Sequence, residues 1–111
     1  VARKKWLADN LKSKGKIYVD QGAENALLDQ GKSLLVAGVI KVTGTFDRGD
    51  VIQCVNKSGL EILKGLVNYN SEEVKKIIGV SSDKIETILG YVNESSLIHR
   101  NNMVIIPIVR K

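Results

Sequence analysis

The chain has 111 residues, 43% of them hydrophobic, which is enough apolar material for one core and one domain, and no apolar run approaches the roughly 18 residues of a membrane span. The net charge is +5 and uneven, since residues 1–16 hold Arg3, Lys4, Lys5, Lys12, Lys14 and Lys16 against Asp9 alone. A single cysteine, Cys54, excludes a disulfide framework and a thiolate zinc site, and a single histidine, His99, excludes a His-cluster metal centre.

The opening residues do not read as a signal peptide, and the cysteine usage leads to the expectation of a cytoplasmic protein. The chain opens on Val1 without an initiator Met, so it reads as a piece of a longer polypeptide. Its basic N-terminal segment suits nucleic acid or an acidic neighbouring domain, and suits a solvated helix face equally well.

Residues 2–12 read as a short helix with Trp6, Leu7 and Leu11 on its apolar side; Trp6 is the expected anchor onto the body of the domain. Lys16–Asp20 alternates polar and apolar with β-branched residues and is a predicted strand. Asp20-Gln21-Gly22 leads into a helix from Ala23 to about Gln30, with Ala23, Ala26 and Leu27 inward and Gly31 just past its end. Ser33–Gly38 is a short apolar connection. The centre is all strand: Val39–Thr43, Asp50–Val55 and Glu61–Val67, the last two joined by an Asn56-Lys57-Ser58-Gly59 turn. Ser71 is placed to cap a helix through Ile78, with Glu72 and Glu73 in its first turn and Gly79 stopping it. Asp83 and Glu86 have capping-box spacing for another short helix, ended by Gly90. Strands near Ser96–His99 and Met103–Ile108 close the chain, with Pro107 demoting the last to an edge. Six or so short strands with three or four small helices argue for a compact β-barrel-like α+β domain, and turns this short argue against a parallel doubly wound sheet.

Neither G-x-x-x-x-G-K-[ST] nor G-x-G-x-x-G occurs, so no phosphate loop is available. Ser95 or Ser96 with His99 lacks an orienting carboxylate by spacing, and a histidine making one backbone hydrogen bond at a strand end is the better account. Cys54 sits in the apolar run Val51–Val55 and is read as an inert core thiol. The stretch Val42-Thr43-Gly44-Thr45-Phe46-Asp47-Arg48-Gly49-Asp50-Val51 is the most informative of all. Gly44 permits a bulge or close backbone approach, Gly49 permits positive φ in a turn, Phe46 is a core plug, and Arg48 is offered beside backbone N–H groups that suit phosphate. Lys16, Lys32, Lys41 and Arg48 flank glycine turns, and Tyr18 and Tyr69 supply planar groups near strand ends, the ingredients of a single-stranded RNA surface.

Taken in order, Lys16–Ala23, Ser33–Val39, Val42–Asp50, Gly65–Ser71, Ile88–Tyr91 and His99–Met103, with Arg3–Leu7 before them, resemble a PUA domain, and within that family the form at the C-terminus of bacterial glutamate 5-kinases. The resemblance spans residues 2 to about 106. It departs at Val36, where the pattern has Pro before Ala-Gly, and at Asn101-Asn102, which replace an acidic residue. It implies an α+β fold, a PUA-like mixed β pseudo-barrel with three to four short helices at its ends, over residues 15–111. Residues 1–14 would be a helix and linker from a kinase domain outside this sequence. The parent implied is a homo-oligomer that uses ATP and Mg²⁺ to phosphorylate the glutamate γ-carboxylate, the first step of proline synthesis. Its catalytic, cofactor-binding and metal-binding residues lie outside this chain, whose own role would be regulation or assembly through contact with the kinase domain. PUA domains elsewhere bind structured RNA through the helix after the first strand, its preceding loop and nearby strand edges. By position Gly22, Ala23, Lys32, Ser33 and Arg48 are the equivalents, with Asp20 and Glu24 in the same area repelling phosphate. RNA binding is the alternative function.

Overall fold

The computed structural model describes residues 13–106. The N-terminal helix expected over residues 2–12, its Trp6 anchor and the Pro107 strand end lie outside the described residues. In chain order the elements are β1 (Gly15–Val19), α1 (Gln21–Gln30), β2 (Val39–Gly44), β3 (Val51–Val55), β4 (Glu61–Leu66), α2 (Ser71–Ile77), α3 (Ile85–Leu89) and β5 (Met103–Ile105). The five strands form one sheet in the order β2-β1-β3-β4-β5. All neighbours are antiparallel except β1 and β3, which pair in parallel, Ile17 opposite Cys54. The architecture is α+β as expected, with three α-helices and short 3₁₀ turns among the described residues.

The mixed sheet is as expected, and two expectations are corrected here. Among the described residues the sheet does not close into a barrel, because its two ends, β2 and β5, are not ladder partners. The one parallel pair arises because α1 and β2 both intervene between β1 and β3, long enough for the crossover that parallel pairing needs. Ser96–His99 is not a strand. Its backbone bonds are shared between separate partners: Leu97 N–H and Leu34 N–H exchange with Leu34 and Ile98 carbonyls at 2.7 and 2.9 Å, while Leu97 O accepts from Asn68 N–H, leaving only an isolated Leu34–Ile98 bridge.

Burial alternates along β1, whereas β3 and β4 carry adjacent buried residues and lie deeper in the core. Ile17 and Val19 of β1, Ile52 and Cys54 of β3, and Ile62 and Leu63 of β4 are buried, while Lys16 is exposed. Onto them pack Leu27 of α1, Val74 and Ile77 of α2, Ile85 of α3, and Leu34, Val36, Leu97 and Ile98 from the connections. Phe46 joins this core as its plug, 2% exposed. Its place depends on Gly15, where an added Cβ would stand 2.7 Å from the Phe46 ring and 2.6 Å from the Thr43 carbonyl. At Gly44, with φ +91°, an added Cβ would likewise stand 2.7 Å from Gly15 Cα and from the Lys14 carbonyl oxygen.

The helix ends show local chemistry. Asn70, rather than the expected Ser71, caps α2: its side chain accepts from Glu73 N–H at 2.8 Å while the Glu73 carboxylate accepts from Asn70 N–H at 2.9 Å. Ser71 is unavailable because its Oγ accepts from Phe46 N–H, 25 residues away in sequence. The expected Asp83–Glu86 capping box is absent. Asp83 lies in a 3₁₀ turn, Ser82–Lys84, that runs directly into α3, and its carboxylate accepts from the Ser81 hydroxyl. That hydrogen bond, with smaller help from its own N–H and Lys84, holds the Asp83 carboxyl below its usual range.

Tyr69 is fully buried and offers no stacking face. Its hydroxyl donates to Glu94 O at 2.5 Å and accepts from the N–H groups of Asn93 and Glu94, both at 3.0 Å, so it pins the 93–94 backbone instead.

Candidate functional site

A groove of about 390 Å³ separates α1 from the segment 32–38. Asp20, Ala23, Ala26 and Leu27 form one wall, and Lys32, Ser33, Leu34, Leu35, Ala37 and Gly38 the other. The walls touch at Gly38, where a Cβ would lie 2.6 Å from Ala23 Cβ, and Asp20 N–H donates to Gly38 O at 3.0 Å. α1 runs along the groove because both its ends are defined. Asp20 caps the start, its Oδ1 accepting from Ala23 N–H at 2.7 Å, and Gly31, in the left-handed region at φ 63°, turns the chain at the end so that Lys32 N–H reaches Ala26 O. A carboxylate therefore stands at one end of the groove and the exposed Lys32 near the other. Ser33 Oγ accepts from Arg100 N–H at 2.8 Å, fixing the lip.

Of the five residues singled out from the sequence, Ala23, Lys32 and Ser33 line this groove, and Gly22 is in the first turn of α1 beside Asp20. Arg48 is not with them. It lies in the β2–β3 turn, which leaves β2 at Gly44, the partner of Gly15 at the start of β1, whereas Gly22 and Ala23 follow the end of β1. The intervening strand has a length of roughly 13 Å at about 3.3 Å per residue. Arg48 instead donates from Nη1 to Asn93 Oδ1 at 3.5 Å.

Electrostatically the N-terminus of α1 is already answered. The amide that an incoming phosphate would engage, that of Ala23, is held by the Asp20 carboxylate. Glu24 faces away from the groove. It is 7% exposed and accepts at Oε2 from Asn56 Nδ2 at 3.2 Å, and Asn56 Oδ1 in turn accepts from the N–H groups of Ser58 and Leu60, both at 3.0 Å. This tie joins α1 to the β3–β4 turn across a polar cleft of about 290 Å³. The sequence pointed to Glu24 only as a repelling charge. The asparagine that orders it lies 32 residues away, and its one sequence signal was the turn chemistry of Asn56-Lys57-Ser58-Gly59.

Elsewhere, His99 Nδ1 accepts from Asn101 N–H at 3.1 Å, the single backbone hydrogen bond expected of it, at the start of a 3₁₀ turn rather than a strand end. Cys54 is fully buried; burial, reinforced by the nearby Glu24 charge, pushes its thiol pKa up to about 12, far from a nucleophile's range. Lys41 Nζ sits 5.3 Å from the centre of the Tyr18 ring. Among the described residues no three His, Cys, Asp or Glu side chains converge as metal ligands, and no helix is long and apolar enough to cross a membrane.

The PUA domain family model matches residues 15–89, from the first strand of the sheet to the end of α3. The chain belongs to the PUA domain family. This PUA domain is 51% identical to a glutamate 5-kinase of Hahella chejuensis over 96% of its own length. It spans only about 28% of the length of the curated relatives it matches. Among solved structures it is similar to a PUA domain of Aeropyrum pernix K1 determined as a tartrate complex, with a TM-score of 0.57 and 24% identity, covering 78% of this chain and 41% of that one. It is also similar to a chain of an H/ACA RNP bound to a substrate RNA, with a TM-score of 0.54 and 17% identity over 84% of this chain and 24% of that one. Those two likenesses concern the PUA fold.

Proposed function

We propose that this chain is the non-catalytic PUA part of a cytoplasmic glutamate 5-kinase, and that it regulates or assembles that enzyme. The observation that carries the reading is the 51% identity to a glutamate 5-kinase along 96% of the chain. On this reading the preceding kinase part binds ATP and Mg²⁺ and transfers the γ-phosphoryl group to the glutamate γ-carboxylate, entering proline biosynthesis, within a homo-oligomer. The PUA part contributes surface. Its buried thiol, its histidine engaged with backbone and its carboxylates committed to caps and ties suit a body that is held rigid while others react. The test compares the full polypeptide with one lacking residues 1–111 for glutamate-dependent ATP turnover, feedback inhibition and oligomeric state. At least one of the three should change, and three unchanged results would refute the role.

A second reading is favoured by one specific arrangement, the meeting of Ala23, Lys32 and Ser33 on a single groove in a fold shared with a chain of an RNA-bound complex. Structured RNA would then lie along α1 with its phosphates toward Lys32 and away from Asp20. Titration of labelled RNA at two salt concentrations separates the readings. Four to six phosphate contacts would give a log–log salt slope of about −3 to −4, taking roughly −0.7 per contact. Lys32→Ala should weaken groove binding and Arg48→Ala, at the far end of β1, should not. Equal effects, or none, would exclude the groove.

A further inference from the structure

We infer that Ile88, Tyr91 and Val92, next to Arg48, form the surface on which the part of the polypeptide preceding this chain docks. The inference rests on the glutamate 5-kinase reading. The three side chains are 40%, 38% and 49% exposed and fall within five consecutive positions, 88–92, where the other exposed large apolar side chains of the described residues are spread along the chain. They follow one another across the end of α3, where Gly90, at φ 85°, reverses the chain and turns Tyr91 and Val92 outward. Their base is fixed. Asn93 N–H and Glu94 N–H are held by the buried Tyr69 hydroxyl, Asn93 Nδ2 donates to Asn68 O at 3.0 Å, and the Tyr91 ring stands 6.5 Å from the Tyr69 ring. A patch displayed on an ordered base loses little further entropy on docking.

Two observations name the occupant. The first is position. Asn93 touches Arg48, whose turn abuts Gly15 through the Gly15–Gly44 pairing, and Lys14 N–H donates to Val51 O at 2.8 Å in the same region. The patch thus lies at the end of the sheet where β1 begins, and the groove of Lys32 and Ser33 lies at the other. The second is size. This chain matches the C-terminal 28% or so of its curated relatives, so the larger part of such a polypeptide precedes it. Three side chains are far below the roughly 800 Å² per partner of a stable association between separate molecules. A partner tethered through residues 1–12 acts at an effective concentration of about millimolar, where a small apolar patch with one guanidinium is sufficient. The complementary surface should be apolar with a carboxylate opposite Arg48.

The test uses amide hydrogen exchange on the full polypeptide and on this 111-residue chain, with Ile88→Asp and Val92→Asp in each. Residues 86–93 should exchange about tenfold more slowly in the full polypeptide, a difference that either substitution abolishes without altering exchange of the core strands of the short chain. No slowing at 86–93, or slowing only at 32–38, overturns the inference. Concentration-dependent self-association of the short chain that Val92→Asp removes also overturns it, because the patch would then belong to a second copy. Glutamate-dependent kinase activity of the unsubstituted full polypeptide, measured in the same preparation, reports on the functional reading separately.

Discussion

Gly38→Ala tests how the groove is held at its present width. Gly38 has a backbone conformation any residue adopts, so alanine there would ordinarily stabilise by about 0.4–1 kcal/mol through the unfolded chain. The new Cβ, however, would stand 2.6 Å from Ala23 Cβ, so α1 and the 36–38 turn must separate by about 1 Å to restore ordinary contact. Such overpacking costs about 1–3 kcal/mol, and the clash outweighs the entropic gain. For 111 residues, an unfolding entropy of about 2.1 cal/mol/K per residue makes each kcal/mol worth roughly 4 °C, so the melting temperature should fall by about 4–10 °C. Ala23→Gly removes the obstructing atom and alone costs about 0.5–1 kcal/mol of helix propensity. The double variant should therefore melt above Gly38→Ala, with a favourable coupling of about 1–2 kcal/mol in thermal or urea unfolding. Additive effects of the two substitutions, or a Gly38→Ala variant as stable as the parent, would refute the packing argument.

Three further outcomes follow from named contacts. Tyr69→Phe should lower stability by about 1–3 kcal/mol in urea unfolding, because Glu94 O and the N–H groups of Asn93 and Glu94 lose their common partner. Asn70→Ala should cost about 1–2 kcal/mol by the same measurement, since both halves of the capping box go with it. The Cys54 thiol is raised to about 12 in the folded state against 9.0 otherwise, so its contribution is fully present below pH 9 and is lost as pH rises toward 12. In that window stability should fall by up to about 1.4 kcal/mol per pH unit from this group. Cys54→Ala should flatten that slope, and a thiol reagent at pH 8 should modify Cys54 only after unfolding.

Much of the architecture is a local matter and was legible in the residues. The alternation of Lys16–Val19, the turn chemistry of Asn56–Gly59, the glycine after α1 and the apolar runs of β3 and β4 each specify an element through its own backbone preferences and its own apolar face. Cys54 was recognisable as core because it sits in such a run, and Phe46 because it is the one large apolar side chain in the polar, glycine-flanked turn before β3. What the tertiary structure alone decided is which distant group each side chain meets. Alternation says that a strand has an inner face and is silent on its neighbour, so the parallel β1–β3 pair and the open ends of the sheet emerge only on assembly. Glu24 is buried because Asn56 arrives from 32 residues away, and Ser71 yields its capping place because Phe46 arrives from 25. Arg48 and Lys32, equal as isolated cations in the sequence, are parted by the length of β1 because Gly44 must pair with Gly15. Local preferences are short-ranged and add up along the chain, whereas a site is a set of distances, and those are set by packing around a shared core.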